Sequence, residues 1–240
     1  MNRFDSSLSL RGLFSGENRK PTLILLTAPL ALASWRCFLA GGLFPAQPGL
    51  PGGLLLGDAG ASEWVADLAS FAVLGLVPLG LIALVLREPP ASYGVAVGDW
   101  RFGLKALAAT APVIVGLSAL ASRSPEFQAQ YPLFPGACAS PSAFAAHAAA
   151  YLVYYVGFEV FFRGFVQFGL RERLGDWNAI LVQTALSCLV HLGKPSGEIF
   201  GAIVGGLAFG IVAFRSRSLL YVIVAHWMLG VALDLFICLG

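Results

Sequence analysis

Long runs of apolar residues constrain this chain more than any other feature of its sequence. A helix needs about 20 apolar residues to cross the roughly 30 Å hydrocarbon core of a bilayer. Runs of about that length recur along the chain, and turn-rich connectors such as PAQPGLPGG and REPPASYGVAVGDWR separate them. Only 12% of the residues are charged, against about 25% in soluble domains. This composition excludes an ordinary soluble enzyme, a disordered chain and a nucleic-acid-binding protein.

The apolar runs predict an all-α fold, a polytopic transmembrane bundle of about seven spans (six to eight). We expect a cytoplasmic segment at 1–21, N-terminal transmembrane helices within 22–143 and the last helices within 144–240, all in one membrane domain. The 240 residues leave no room for a soluble domain. The predicted spans lie at 22–44, 64–86, 104–121, 144–170, 177–192, 199–214 and 219–239.

Basic residues predict the orientation of these spans. Arg3, Arg11, Arg19 and Lys20 precede the first span, and the next connector contains no Lys or Arg. Connectors richer and poorer in basic residues then alternate to the end of the chain. Because cytoplasmic connectors carry an excess of Lys and Arg, this pattern predicts a cytoplasmic N-terminus and an external C-terminus.

The first span also resembles the apolar part of a signal peptide, since LILLTAPLALA ends in small residues at Ala33. The segment before it is long for a signal peptide and apolar sequence resumes at Cys37, so an uncleaved span is favoured. Cleavage would leave six spans in the same orientation. The four cysteines (Cys37, Cys138, Cys188 and Cys238) are scattered without ligand spacing, which predicts small apolar fillers and neither a disulfide framework nor a zinc site.

Ionisable residues within the spans are candidates for function, because charge is costly in a bilayer. Arg36 and Asp67 lie on consecutive spans and are expected to form a structural ion pair. His147 stands in an alanine-rich stretch and is interpreted as structural. The full set is Arg36, Asp67, His147, Glu159, Arg163, His191, His226 and Asp234.

Four of these residues fall in one slab of the membrane. At about 1.5 Å per helical residue, Glu159 and Arg163 lie roughly 18 and 12 Å from the cytoplasmic end of their span. His191 lies roughly 21 Å and His226 roughly 12 Å from the same side. Glu159 and Arg163 are also spaced i, i+4 in the order that favours pairing. A carboxylate and two imidazoles in a dry cavity suit peptide hydrolysis by an activated water; the alternative is a polar network that only joins helices.

Residues 144–240 resemble the CPBP family of CAAX proteases and bacteriocin-processing intramembrane proteases, also called Abi or type II CAAX endopeptidases. The segments that carry the resemblance are GFEVFFRGFVQFGLRERLG, SCLVHLG and AHWMLG. They are similar to the family motifs EExxxR, FxxxH and HxxxN or HxxxD. The resemblance implies that Glu159, Arg163, His191 and His226 are catalytic, with a glutamate activating the attacking water and the histidines stabilising the oxyanion.

The sequence departs from these motifs at three positions. Phe158 replaces the first glutamate, to which the family generally assigns water activation. Ser187 replaces the phenylalanine of the second motif, and Gly230 replaces the asparagine or aspartate of the third. Asp234 is a candidate accessory residue, although it lies about 80° around the helix from His226.

These features predict an intramembrane endopeptidase of the bacterial inner membrane, acting on a membrane-anchored or C-terminal-tail substrate in the lipid bilayer. No cofactor is expected, and the alternative mechanism would place a divalent metal such as zinc on Glu159, His191 and His226. Because Phe158 is present, a catalytically silent CPBP-fold scaffold or bacteriocin-immunity protein is the alternative function. A rhomboid-like protease using Ser196 with His226 lacks the expected motif spacing, and no repeat or broken-helix pair supports a transporter.

Overall fold

The computed structural model describes residues 9–39 and 63–240, and every regular element within these ranges is helical. The predicted all-α fold is therefore confirmed. Among the described residues the long helices are α1 (Arg19–Ser34, continued by a π-helical turn Trp35–Leu39), α2 (Glu63–Leu86), α3 (Trp100–Ala121), α4 (Pro141–Glu159, continued by the π-helical Val160–Phe168), α5 (Gly169–Val190), α6 (Ser196–Ser216) and α7 (Leu220–Leu239).

Five helical stretches in the described residues are long and apolar enough to cross a membrane. They are Glu63–Leu86, Trp100–Ala121, Pro141–Val190, Ser196–Ser216 and Leu220–Leu239. The first predicted span is described only as far as Leu39, and the predicted connector after it lies outside the described residues, as do residues 1–8 of the N-terminal segment. The count of seven spans and the cytoplasmic N-terminus stay predictions.

The 50-residue stretch Pro141–Val190 contains two of the predicted spans. Gly175 interrupts its helical backbone with φ 76° and ψ 167°, a conformation that glycine adopts without the steric penalty of a Cβ atom. The helical backbone therefore continues from α4 into α5 without a connector. It changes direction at Gly175, within α5. This break lies in the connector predicted between residues 170 and 177.

Helix α4 forms the centre of the bundle. All nine residues of its π-helical part, Val160–Phe168, are buried, and α2, α5 and α7 pack around the helix. Three aromatic residues of α4, Phe161, Phe162 and Phe165, are fully buried in the protein core. The outer faces are apolar as well, with side chains such as Leu117 and Val204 mostly exposed. A bundle that has an apolar exterior and encloses a small number of polar groups suits a bilayer.

Glycines allow α6 to approach its neighbours at two positions. A Cβ atom at Gly206 would lie 2.7 Å from Thr184 Cγ2, and one at Gly210 would lie 2.8 Å from Gln167 Oε1. Gly201 and Gly205 face open space instead. Close packing through small residues therefore occurs at Gly206 and Gly210 but not at Gly201 and Gly205.

A disulfide joins Cys138, just before α4, to Cys238 near the end of α7. The prediction of four apolar fillers is wrong for these two residues, whereas Cys37 and Cys188 are free. The two half-cystines are 100 residues apart in sequence and 5.1 Å apart between Cα atoms. The spacing of the cysteines in the sequence does not predict this disulfide, because the two residues meet only when α7 packs against the segment before α4.

Candidate active site

Glu159 lies at the point where α4 changes from an α-helix to a π-helix. Its side chain is fully buried, and Oε1 accepts a hydrogen bond from Arg163 Nη1 at 2.9 Å. The ion pair predicted from the i, i+4 spacing is therefore formed inside the bundle. π-Helical turns occur frequently at functional sites, since the wider turn displaces side chains from their usual register.

His226 on α7 contacts the same carboxylate oxygen. Its Nδ1 lies 2.6 Å from Glu159 Oε1. Because Glu159 Oε1 is the acceptor for Arg163 as well, we assign a proton to Nδ1 of His226, which leaves Nε2 to face a reactant. The second oxygen, Glu159 Oε2, is buried and has no hydrogen-bond partner. The Glu159 carboxylate therefore has one oxygen that contacts both Arg163 and His226 and one oxygen without a hydrogen bond.

Phe158 separates the two predicted imidazoles. Its ring centroid lies 5.2 Å from that of His226 and 6.3 Å from that of His191, edge-on in both cases. The Arg163 guanidinium lies 5.9 Å from the same ring. The residue that departs from the first motif is thus at the centre of the site. An apolar ring therefore lies next to both histidine rings.

His191 follows the last residue of α5 and has a different set of partners. Its Nδ1 donates to the Ser187 carbonyl at 2.6 Å, and its Nε2 lies 3.8 Å from Glu198 Oε1. Of the four predicted residues, Glu159, Arg163 and His226 are joined by hydrogen bonds, while His191 lies beyond Phe158. Glu198 was not singled out from the sequence, because it lies in the first turn of α6 outside the motifs.

Tyr155 explains the glycine at the third motif position. A Cβ atom at Gly230 would lie 2.4 Å from Tyr155 Oη, so no larger residue fits without moving this ring. The Tyr155 ring also packs on His226, with centroids 4.5 Å apart. Tyr155 is not recognisable as a site residue from the sequence, because it is one of many aromatic residues on α4.

The hydrogen bond of Asp234 is to His147 and not to Glu159, Arg163 or His226. Its Oδ2 accepts from His147 Nε2 at 2.9 Å, and the other ring nitrogen of His147 contacts Glu63 Oε1. The accessory role of Asp234 stays a prediction. Both oxygens of buried Asp67 lack a hydrogen-bond partner, so no hydrogen bond supports the predicted ion pair of Arg36 with Asp67, which stays a prediction.

The residues predicted to hold a metal do not form a metal site. Within 9–39 and 63–240, no three His, Cys, Asp or Glu side chains are grouped closely enough to hold a metal ion. Glu159 Oε1 and His226 Nδ1 contact each other directly, and Phe158 lies between them and His191. We therefore derive no step through zinc or another divalent ion.

The fold and this site define a multi-pass integral membrane protein with ionised groups buried inside its helical bundle. Residues 140–232 match the Rce1-like family model, described as type II CAAX prenyl endopeptidase Rce1-like. This match supports the resemblance of this part of the chain to the CPBP family of CAAX proteases. No curated protein and no solved structure matches the chain significantly.

Proposed function

We propose that this protein is an intramembrane endopeptidase that hydrolyses a peptide bond with a water activated by Glu159 acting through His226. The observation that carries the proposal is the single oxygen, Glu159 Oε1, shared by Arg163 on the same helix and His226 on α7. A carboxylate that orients an imidazole and stabilises its protonated form is a recurring arrangement in general base catalysis.

The reaction begins at His226 because Glu159 is inaccessible. The Glu159 side chain is fully buried, whereas 14% of the His226 side chain is exposed. Nε2 of His226 accepts a proton from water as the water oxygen attacks the substrate carbonyl. The C–N bond then breaks, and the same proton moves from His226 to the leaving nitrogen, so one water yields a carboxylic acid and an amine.

Arg163 and His191 stabilise charge in this mechanism. The Arg163 guanidinium lies 2.9 Å from Glu159 Oε1 and offsets the charge of a carboxylate at this buried position. His191, when protonated on Nε2, donates a hydrogen bond to the oxyanion formed during attack. The proposal uses no metal or organic cofactor, and a chelator such as 1,10-phenanthroline is expected to leave cleavage unchanged.

The surroundings of the site support a proposal for the substrate class. We propose a membrane-anchored protein or its C-terminal tail, because the site lies between apolar helices and the matched family is described as prenyl endopeptidase. The bacterial inner membrane is the proposed location. The lipid bilayer is then both the solvent for the bundle and the route by which the substrate reaches it.

The experiment uses purified protein in liposomes and a quenched fluorescent peptide ending in a prenylated cysteine and three further residues. Wild type is expected to cleave it, and Glu159→Gln and His226→Ala to lose at least about 100-fold in kcat/KM. The unprenylated peptide tests the lipid requirement. Ser118→Ala is the matched control, since it removes a buried hydroxyl elsewhere in the bundle and should leave the rate unchanged. Equal cleavage by wild type and Glu159→Gln would overturn the proposal.

A catalytically silent scaffold or immunity protein is the second candidate, and Phe158 is the observation that favours it. Its apolar ring lies next to both imidazoles. A silent protein would show no cleavage as wild type and would gain it as Phe158→Glu. Comparing the C-terminal peptides of membrane proteins in cells with wild type or Glu159→Gln provides a test without a chosen substrate. A tail that accumulates uncut only with the variant supports the peptidase.

A further inference from the structure

We propose that Glu198 is a positioning residue that acts through His191, as the second carboxylate of the site. The inference rests on the proposed peptidase function. No motif includes Glu198, and its contact with His191 arises because α6 starts next to the end of α5. The site then contains two carboxylate–imidazole pairs, one on each side of Phe158.

The orientation of His191 points its reactive nitrogen toward Glu198. Because Nδ1 donates to the Ser187 carbonyl, the neutral ring has no proton on Nε2 and cannot donate from it. Only the protonated ring offers an Nε2–H to an oxyanion. Glu198 Oε1, 3.8 Å from Nε2, stabilises that protonated form through its opposite charge.

Glu198 is itself held in place by Tyr131. The Tyr131 hydroxyl lies 2.8 and 2.7 Å from the two carboxylate oxygens, and Lys194 Nζ donates to the same hydroxyl at 3.2 Å. Burial raises the pKa of Tyr131, and the Glu198 charge acts in the same direction, so the hydroxyl keeps its proton and donates. Glu198 also lies in the first turn of α6, where the helix dipole favours a negative side chain.

The pair is open to reactants, unlike Glu159. The side chains of His191 and Glu198 are 16% and 21% exposed, whereas that of Glu159 is fully buried. The charged and titratable groups that act on His191 are Glu198 from α6, Lys194 from the preceding connector and His226 from α7. Glu198 is the anion among them. Burial disfavours a positive charge on His191, and Glu198 is the charged side chain that opposes this effect.

The test compares Glu198→Gln with Glu198→Asp and with the matched control Glu126→Gln in the liposome assay. Glutamine can still accept from Tyr131 but lacks the charge, so kcat should fall at least about tenfold with little change in KM, and aspartate should restore part of it. Glu126 is a neighbouring carboxylate that contacts Ser196 rather than His191; its variant should match wild type. An equal loss in both glutamine variants would contradict the proposal.

A double-variant comparison separates an effect through His191 from a structural one. On a His191→Gln background, Glu198→Gln should cause no further loss, because its partner is already absent. A further loss of the same size as in wild type would overturn the proposal. Thermal unfolding in detergent should place the single variants close to wild type.

A spectroscopic measurement distinguishes failure of this inference from failure of the proposed function. The chain contains three histidines, so ¹⁵N-histidine labelling and single-histidine variants assign each ring. Glu198→Gln should shift the His191 Nε2 resonance, and Glu126→Gln should not. If no peptide is cleaved but this shift occurs, the peptidase proposal fails and the pairing stands. An unchanged resonance overturns the pairing, whether or not the protein cleaves peptides.

Discussion

Glu159 on α4 and His226 on α7 are joined through one oxygen, with His226 Nδ1 2.6 Å from Glu159 Oε1. Sixty-seven residues separate them in sequence, so this contact depends on the packing of the last helix against the centre of the bundle. The same oxygen accepts from Arg163. The hydrogen bonding of Glu159 therefore depends on how α7 packs against α4.

We predict that Arg163→Gln destabilises the protein by about 3–5 kcal/mol, because it leaves a buried carboxylate without its permanent cation. Arg163→Lys should lose less, since it keeps the charge. The double variant Glu159→Gln/Arg163→Gln should be more stable than Arg163→Gln alone, as no buried charge is then left unpaired. Chemical unfolding in detergent measures the free energies. A double variant less stable than Arg163→Gln would show that the ion pair is not what holds this region.

Gly205 and Gly206 are adjacent on α6, so alanine substitutions at the two positions can be compared directly. We predict that Gly206→Ala is destabilising, since its Cβ atom would lie 2.7 Å from Thr184 Cγ2 and the Gly206 carbonyl accepts from Gln183 at 2.8 Å. Gly205→Ala faces open space and should stabilise the helix by up to about 1 kcal/mol. Thermal unfolding of the two variants should therefore shift in opposite directions. Equal shifts would mean that α6 does not contact α5 through this face.

Much of the site was predictable because it lies on regular helices with informative spacing. Glu159 and Arg163 follow from i, i+4 geometry, and His226 follows from its depth and motif. Glu198 and Tyr131 were missed because one lies in the first turn of α6 and the other in a connector before α4. Polar residues in such positions resemble the solvent-exposed residues that connectors normally contain.

Other contacts could not be predicted because they depend on which helices become neighbours. Asp234 is a candidate accessory residue because it follows His226 by eight positions, yet its hydrogen-bond partner is His147 on α4. Asp67 was paired with Arg36 because their spans are consecutive, yet neither oxygen of Asp67 accepts a hydrogen bond. Depth along a helix is readable from sequence, whereas the rotation of each helix about its axis is set by packing.

The disulfide predicts sensitivity of the bundle to reduction. Cys138–Cys238 closes a long loop, and such cross-links typically contribute about 2–4 kcal/mol by restricting the unfolded chain. We expect reductant to lower the unfolding temperature of wild type and to leave Cys138→Ser/Cys238→Ser unchanged. Cys37→Ser is the control, since Cys37 is free. Mass spectrometry of protein alkylated in intact cells should find this pair oxidised, because disulfides persist in oxidising compartments. Full alkylation of Cys138 and Cys238 would contradict the predicted external location of the C-terminus.

Lys194 predicts a specific dependence of stability on pH. Burial lowers the pKa of Lys194 from 10.5 to about 8, while Glu198 and Asp234 act in the opposite direction. Between about pH 8 and 10.5 the unfolded chain therefore binds a proton that the folded protein has lost, so the free energy of unfolding rises with pH in this window. Below about pH 8 both states hold the proton, and Lys194 contributes no slope. Lys194→Gln keeps a hydrogen-bond donor without a titrating charge and should flatten the rise. Unfolding in detergent across this pH range measures both slopes, and parallel slopes for wild type and Lys194→Gln would show that Lys194 is not a buried amine.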